Sequence, residues 1–472
     1  MKHNLLFCAA VLAASSAWAA APTSVTISGD GLADSETAPV ECTQISDGNF
    51  QAFVELKAGQ PFTVKGGDGT VYTFNNAQSN LNGVYKIDLN FNEANPTLNL
   101  KQIKHLMLKH CWTGTDFVLD YVGNGTWAGA FNWSVLSSQD DRYQIAMRYP
   151  RDDDHYHKWG PVNTGNDAKP NGTAEYFYMK EAPNASQWDP KWKIDDKYKD
   201  GQSHLFVVTM RGTYTHTIAE IGTVPTSLTV TGSALTEGSS FDLNKVDDYT
   251  YELFTRLKAG ELAFNSGNTA YTIENGKIAA KAGAVNVAKD GIYCINVNFA
   301  SGAASVKEVN SLKFYHLTSF GPKGESLEYK ENGIWSGNVD IPDADDRYRL
   351  EMYIDGDIQH WGTKNHTGMK PSQTTLGESY FNIKRVPWTF WGDEFKFEDS
   401  QKGKSTPLTV KFNSPVYTHN FTEYISTGID DVTAEENAPV EYYNLQGVRV
   451  ENPANGLYIR RQGNKATKVL VK

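Results

Sequence analysis

Gly291-Ile292-Tyr293-Cys294-Ile295-Asn296-Val297-Asn298-Phe299 alternates apolar and polar residues behind a glycine. The same pattern stands earlier as Gly83-Val84-Tyr85-Lys86-Ile87, and it too closes on Asn-Phe, at Asn90-Phe91. Alternation with a period of two belongs to a strand with one covered face, whereas a helix would repeat every 3.6 residues. The recurrence extends along the chain. Thr23 to Gly29 returns as Thr226 to Gly232, Leu56-Lys57-Ala58-Gly59 as Leu257-Lys258-Ala259-Gly260, and Trp127-Ala128-Gly129 as Trp335-Ser336-Gly337. Asp140-Asp141-Arg142-Tyr143 matches Asp345-Asp346-Arg347-Tyr348, Trp159-Gly160 matches Trp361-Gly362, and Tyr214-Thr215-His216 matches Tyr417-Thr418-His419. All the offsets lie between 201 and 208 residues, so the body is one unit written twice. No window holds a helical period for long. Short alternating runs broken by Gly, Asn and Asp predict an all-β chain of antiparallel β-sandwiches.

Composition narrows the function classes. The 472 residues carry 44 Lys+Arg against 55 Asp+Glu, a net charge of −11, which disfavours a nucleic-acid partner because that calls for a basic face. Aromatics make up 12% of the chain, which excludes disorder. Trp18 lies near the N-terminus; the other ten of the 11 Trp fall in two windows, Trp112 to Trp192 and Trp335 to Trp391. Each half therefore divides into a Trp-free first part and a Trp-rich second part. The expected layout is a signal peptide at 1–19, a β-sandwich at 20–98, a Trp-rich sandwich at 99–221, a second pair at 222–304 and 305–424, and a linker with a small C-terminal β-unit at 425–472.

The ends speak to the compartment. Lys2 and His3, the apolar run Leu5 to Ala14 and the small-residue pattern Ala17-Trp18-Ala19 read as a secretory leader, too short to span a bilayer. No transmembrane segment is expected. The mature cysteines Cys42, Cys111 and Cys294 are odd in number and match no metal spacing, so they read as isolated buried thiols. After an acidic linker, Val440 to Val450, Asn455 to Arg460 and Lys468-Val469-Leu470-Val471-Lys472 form short alternating strands. This tail resembles the C-terminal sorting domains of type IX-secreted proteins of Bacteroidetes, and the resemblance implies presentation at the cell surface.

Candidate site residues come from the matched pairs. A sugar offers a C–H face to an aromatic plane and hydroxyls to planar polar groups, so large, partly exposed aromatics suit glycan binding. Trp127 and Trp335 follow Gly-rich turns and begin strands, which points to core. Trp159 and Trp361 sit in polar stretches, His155-Tyr156-His157-Lys158-Trp159 and Gln359-His360-Trp361, read as loops that carry function. They are the expected stacking platforms. Arg142 and Arg347 are their polar partners, through the planar guanidinium fork. Trp188, Trp391, Tyr176 and Tyr380 complete the candidate ligand-binding set. Asp152-Asp153-Asp154 and Asp355-Gly356-Asp357 lack the full calcium pattern and read as solvated acidic loops. No metal or cofactor is expected. No Gly-x-Ser-x-Gly, His-Glu-x-x-His or phosphate loop is present, and duplication favours a binder, because a repeated binding module raises effective concentration on a polymer.

With these residues in view, Leu56 to Phe62, Leu257 to Phe264 and the closing strand Asp290 to Tyr293 resemble the tandem modules of the SusE/SusF-type starch-utilisation proteins of Bacteroidetes. The resemblance implies Ig-like and carbohydrate-binding-module-like β-sandwiches in series. It further implies a non-catalytic, outer-membrane-associated protein that binds polysaccharide or oligosaccharide beside other glycan-uptake proteins. Two features depart from that family: Ala20 rather than Cys follows the leader, and the C-terminal unit is extra. A surface adhesive protein that binds other proteins is the alternative expectation, and a glycoside hydrolase with unrecognised carboxylates a more distant one.

Overall fold

The computed structural model describes residues 21–93, 95–110, 116–133, 141–149, 157–162, 177–182, 190–316, 324–343, 347–363, 370, 382–386, 394–425, 439–445, 447–462 and 465–471. Among them every named element is a strand or a short 3-10 turn, and every strand pairing is antiparallel, so the chain is all-β. It forms two compact units, Met1–Phe421 and Thr422–Lys472.

Within the larger unit the apolar residues gather in four cores, one for each part of each half. The first part of each half is a sandwich, and its central strand serves two cores at once. In Asn49–Leu56, Phe50, Ala52, Val54 and Leu56 face the sandwich core, while Phe53 points the other way into the neighbouring Trp-rich core. In Thr250–Leu257, Tyr251, Leu253 and Leu257 face inward and Phe254 crosses over. The two-residue period alone sets this division, since alternate side chains leave opposite faces of a strand.

The second part of each half closes on itself. In the second half the pairing runs Ala304–His316, Glu325–Tyr329, Ile334–Asp340, Ser405–Lys411, Tyr417–Asn420, Asn382–Val386, Asp357–Thr363 and Arg347–Ile354, and then returns to Ala304–His316. This eight-strand ring leaves no open edge. In the first half the bridge Tyr178↔Thr215 joins the equivalent ends. Alternation is the same in a closed ring and an open sandwich, so the closure is a product of long-range pairing and not of local pattern.

The joint between sandwich and ring is built the same way twice. Phe53 meets Trp127 edge-on at 5.7 Å, and Phe254 meets Trp335 at 5.8 Å. Glu36 accepts hydrogen bonds from the Tyr121 hydroxyl and the Asn124 amide; Glu237 accepts them from the Tyr329 hydroxyl and the Asn332 amide. Asn124 and Asn332 both hold the left-handed backbone that turns their amides toward the carboxylate, with φ of 53° and 41°. Burial pushes the Glu36 carboxyl above its ordinary range.

The two halves also meet directly. Asn82 donates to Asp355 (2.7 Å), Lys104 to Asp357 (2.8 Å), and Ser301 to Asp120 (2.8 Å). The Asp355-Gly356-Asp357 turn, read from sequence as a solvated acidic loop, is partly exposed and also fastens the halves together. A carboxylate beside an amide and an ammonium from the other half exchanges water for those partners.

The smaller unit is a four-stranded sheet in the order Arg449–Val450, Val440–Tyr443, Gly456–Gln462 and Lys465–Val471. Val440, Val448, Leu457 and Leu470 are exposed on it.

Candidate binding cleft between the halves

Two matched pairs of tryptophans, Trp127 with Trp335 and Trp159 with Trp361, are core residues. Trp127 and Trp335 are buried, as their position after Gly-rich turns implies. Trp159 and Trp361 correct the sequence expectation: each is 2% exposed and lies in a strand, His157–Pro161 or Asp357–Thr363, not in a loop. Trp361 packs against Phe254, Phe412 and Tyr417 at 6.4, 5.0 and 5.6 Å. A ring enclosed in this way has no face to offer a sugar. The misreading has a physical source. Lys158 and His360, the neighbours that made these stretches look like polar loops, are themselves buried, so both faces of the strand are covered and the apolar alternation is masked.

Arg142 and Arg347 open the strands Arg142–Arg148 and Arg347–Ile354, paired with Lys193 and Lys396. Asp141, beside Arg142, bridges Lys193 and Lys199 at 3.3 and 3.1 Å. Trp188, Trp391, Tyr176 and Tyr380 lie outside the described residues.

A different set of side chains converges. Where the ring of the first half meets the sandwich and ring of the second, a cleft of about 690 Å³ opens. From the first half come Asp120 and Phe117, on strand Asp116–Tyr121. From the second come Asp247, Tyr249, Glu252, Asn296, Asn298, Trp361, Arg385 and Tyr417. Neither half holds this site alone.

Glu252 is its electrostatic anchor. At 2% exposure it accepts hydrogen bonds from the Arg385 Nη2 (2.7 Å), the Tyr417 hydroxyl (2.8 Å) and the Asn296 amide (2.8 Å). A buried carboxylate is tolerated only when paired and hydrogen-bonded, and here it is both. Burial, then the charge of Glu252, holds the Tyr417 phenol well above its ordinary range, so it stays a donor. Arg385 is thus held from one side by Glu252 and lies 4.9 Å over the Trp361 ring, while its side chain remains 42% exposed. A guanidinium fixed in this way presents its remaining N–H groups to the cleft in a set orientation.

The aromatic faces come from elsewhere. Tyr249, half-buried, sits in the turn before Thr250–Leu257, where the Asp247 carboxylate accepts from the Tyr249 and Thr250 amides, both at 2.8 Å. Phe117 is half-buried on the opposite wall. Asn298 holds the turn that carries Ser301, accepting from the Ala300 and Ser301 amides, and Ser301 in turn donates to Asp120. Burial raises the Asp120 carboxyl above its usual range; Ser301 and Arg385 oppose that shift and Asp247 adds to it.

Sequence reasoning missed Tyr249, Asp120 and Arg385 because it followed Trp. A signal was nonetheless present. Strand register sets Trp159 opposite Glu181 and Trp361 opposite Arg385. At such matched positions the halves differ in charge: Glu181 becomes Arg385, Gln51 becomes Glu252, and Lys86 and Asp88 become Cys294 and Asn296.

No family model matches the chain, and no curated protein matches it. Among solved structures, the crystal structure of SusF from Bacteroides thetaiotaomicron matches over 85% of this chain and 91% of its own, at 11% identity and a TM-score of 0.25. No helix among the described residues is long and apolar enough to cross a membrane.

Proposed function

We propose that the protein is a non-catalytic glycan-binding protein whose ligand lies in the cleft between its halves. The observation that carries this reading is the pairing of half-buried aromatic rings, Tyr249 and Phe117, with a fixed donor fork, Arg385, and a carboxylate acceptor from the other half, Asp120. A sugar needs this combination, since its C–H face stacks while its vicinal hydroxyls donate and accept. The volume suits an oligosaccharide segment, because small-molecule sites run from about 300 to 1,000 Å³. Both oxygens of Glu252 already accept hydrogen bonds, which suits a structural anchor better than an acid or base in chemistry.

The leader-like first 19 residues and a tail that resembles type IX sorting domains support export to the bacterial cell surface. There the protein would hold polysaccharide, alone or beside other outer-membrane glycan-uptake proteins. Affinity electrophoresis of the full chain across a polysaccharide panel tests the reading. Tyr249→Ala is expected to lower retention at least tenfold with an unchanged circular dichroism spectrum. Retention equal to that of the parent chain rejects this cleft as the site.

A further inference from the structure

We infer that the cleft selects a glycan bearing a primary ammonium, a deacetylated amino sugar, whose charged nitrogen is received by Asp120 with Asp247 beside it; this rests on the glycan-binding reading of the same cleft. The argument begins with charge. Arg385 is compensated by the buried Glu252, so the pair adds little net potential to the space in front of it. Lys384 is the other cation in the lining, so two cations stand against the three carboxylates Asp120, Asp247 and Glu252. His105 in the same wall is kept uncharged at neutral pH, because burial lowers its pKa to about 4. Asp120 and Asp247 remain, one from each half.

Among the described residues, neither carboxylate is satisfied on both oxygens by the protein. There Asp120 takes a single hydrogen bond, from Ser301 to Oδ2. Asp247 receives its two amide bonds on Oδ1 alone. Asp120 is half-buried and Asp247 exposed; a carboxylate with one open oxygen is well satisfied by a charged donor, because charge-assisted hydrogen bonds are roughly twice as strong as neutral ones. An ammonium arriving there would oppose, by its charge, the effect of burial that raises the Asp120 carboxyl, as Arg385 does in part. The ring of Tyr249 lies two residues from Asp247 and adds an aromatic face that favours a cation.

A second, independent feature concerns the rest of the sugar. Trp361, 2% exposed in the cleft wall, holds an Nε1–H with no acceptor among the described residues. A buried donor of this kind costs stability until it is paired. A ligand hydroxyl that reaches this edge of the ring supplies an acceptor beside the ammonium. A uronic acid would bring a carboxylate toward Asp120 and Asp247 and be repelled.

Isothermal titration of the full chain tests the inference with glucosamine oligomers, their N-acetylated counterparts and neutral glucose oligomers, all of equal length. The expected result is affinity at least tenfold higher for the deacetylated series, with the gap shrinking as salt rises. In Asp120→Asn, which keeps the Ser301 contact, the ratio is expected to fall toward one, and Asp247→Asn should reduce it less. A near-UV spectrum matching the parent chain shows that the variants are folded. Equal affinity for all three series, with binding lost in Tyr249→Ala, overturns the ammonium inference and leaves the glycan reading in place. Absence of binding to every oligomer and polysaccharide overturns both.

Discussion

The two halves use one frame and distribute charge on it differently. At the place where ring meets sandwich, the first half sets Gln51, Lys86, Asp88, Glu181 and Tyr214. There Tyr214 donates to Gln51 (2.8 Å), Gln51 to Asp88 (2.7 Å), and Lys86 lies 3.4 Å from Asp88. The second half sets Glu252, Cys294, Asn296, Arg385 and Tyr417 in the same positions and draws every donor onto Glu252. Copying preserved the apolar contacts, which depend on shape. The polar contacts were free to diverge once each cluster stayed internally satisfied. In the second half the first ring comes against this face, and there Arg385 faces a cleft that Asp120 of the first half also lines.

If the frame is shared, its removal should cost both halves alike. Trp127→Ala and Trp335→Ala are each expected to destabilise by about 3–5 kcal/mol, the range for a large buried aromatic. Urea unfolding of the paired variants measures this, and a difference above about 2 kcal/mol would break the equivalence of the two cores. If the charges differ in role, the polar variants should not match. Arg385→Ala strips a partner from buried Glu252 and should cost about 1–3 kcal/mol, discounted because the guanidinium is partly exposed. Glu181→Ala removes an exposed contact to His157 and should cost below about 1 kcal/mol. Thermal melts of the two variants make the comparison directly.

The joints offer a finer contrast. Glu36 also accepts from the Glu55 amide, a bond for which Glu237 has no counterpart among the described contacts. Glu36→Ala should therefore exceed Glu237→Ala by about 0.5–1.5 kcal/mol, the worth of one hydrogen bond, as read from urea midpoints.

The smallest effect is in pH. Tyr143 pairs with His216 and Tyr348 with His419, at 3.0 and 2.7 Å. Burial lowers His216 to about 3, so the folded first ring keeps it neutral. The unfolded chain protonates it near pH 6.5, so stability present above about 6.5 is lost as pH falls toward about 3. His216→Gln retains a partner for Tyr143 and should lessen that acid loss. A histidine proton titration that places His216 near 6.5 in the folded chain would contradict the assignment.

Much of this was legible in the chain itself. The all-β class followed from alternation at Gly291 to Phe299, and the core role of Trp127 and Trp335 from the glycines before them. Trp159 and Trp361 were misplaced because Lys158 and His360 are polar and yet covered, and a one-dimensional pattern equates polar with exposed. Tyr249 escaped notice because nothing local distinguishes a tyrosine that faces a cleft from one that faces bulk water.

By itself the sequence determined the strand periodicity, the duplication and the core role of Trp127 and Trp335, because these depend on near neighbours and on a repeat that can be counted. Tertiary structure alone decided that Asp120 of one half would stand across a cleft from Arg385 of the other, that Glu252 would neutralise that arginine, and that Trp159 and Trp361 would turn inward. Electrostatic partnership and accessibility depend on distance in space, and residues of separate halves acquire it only when the halves dock.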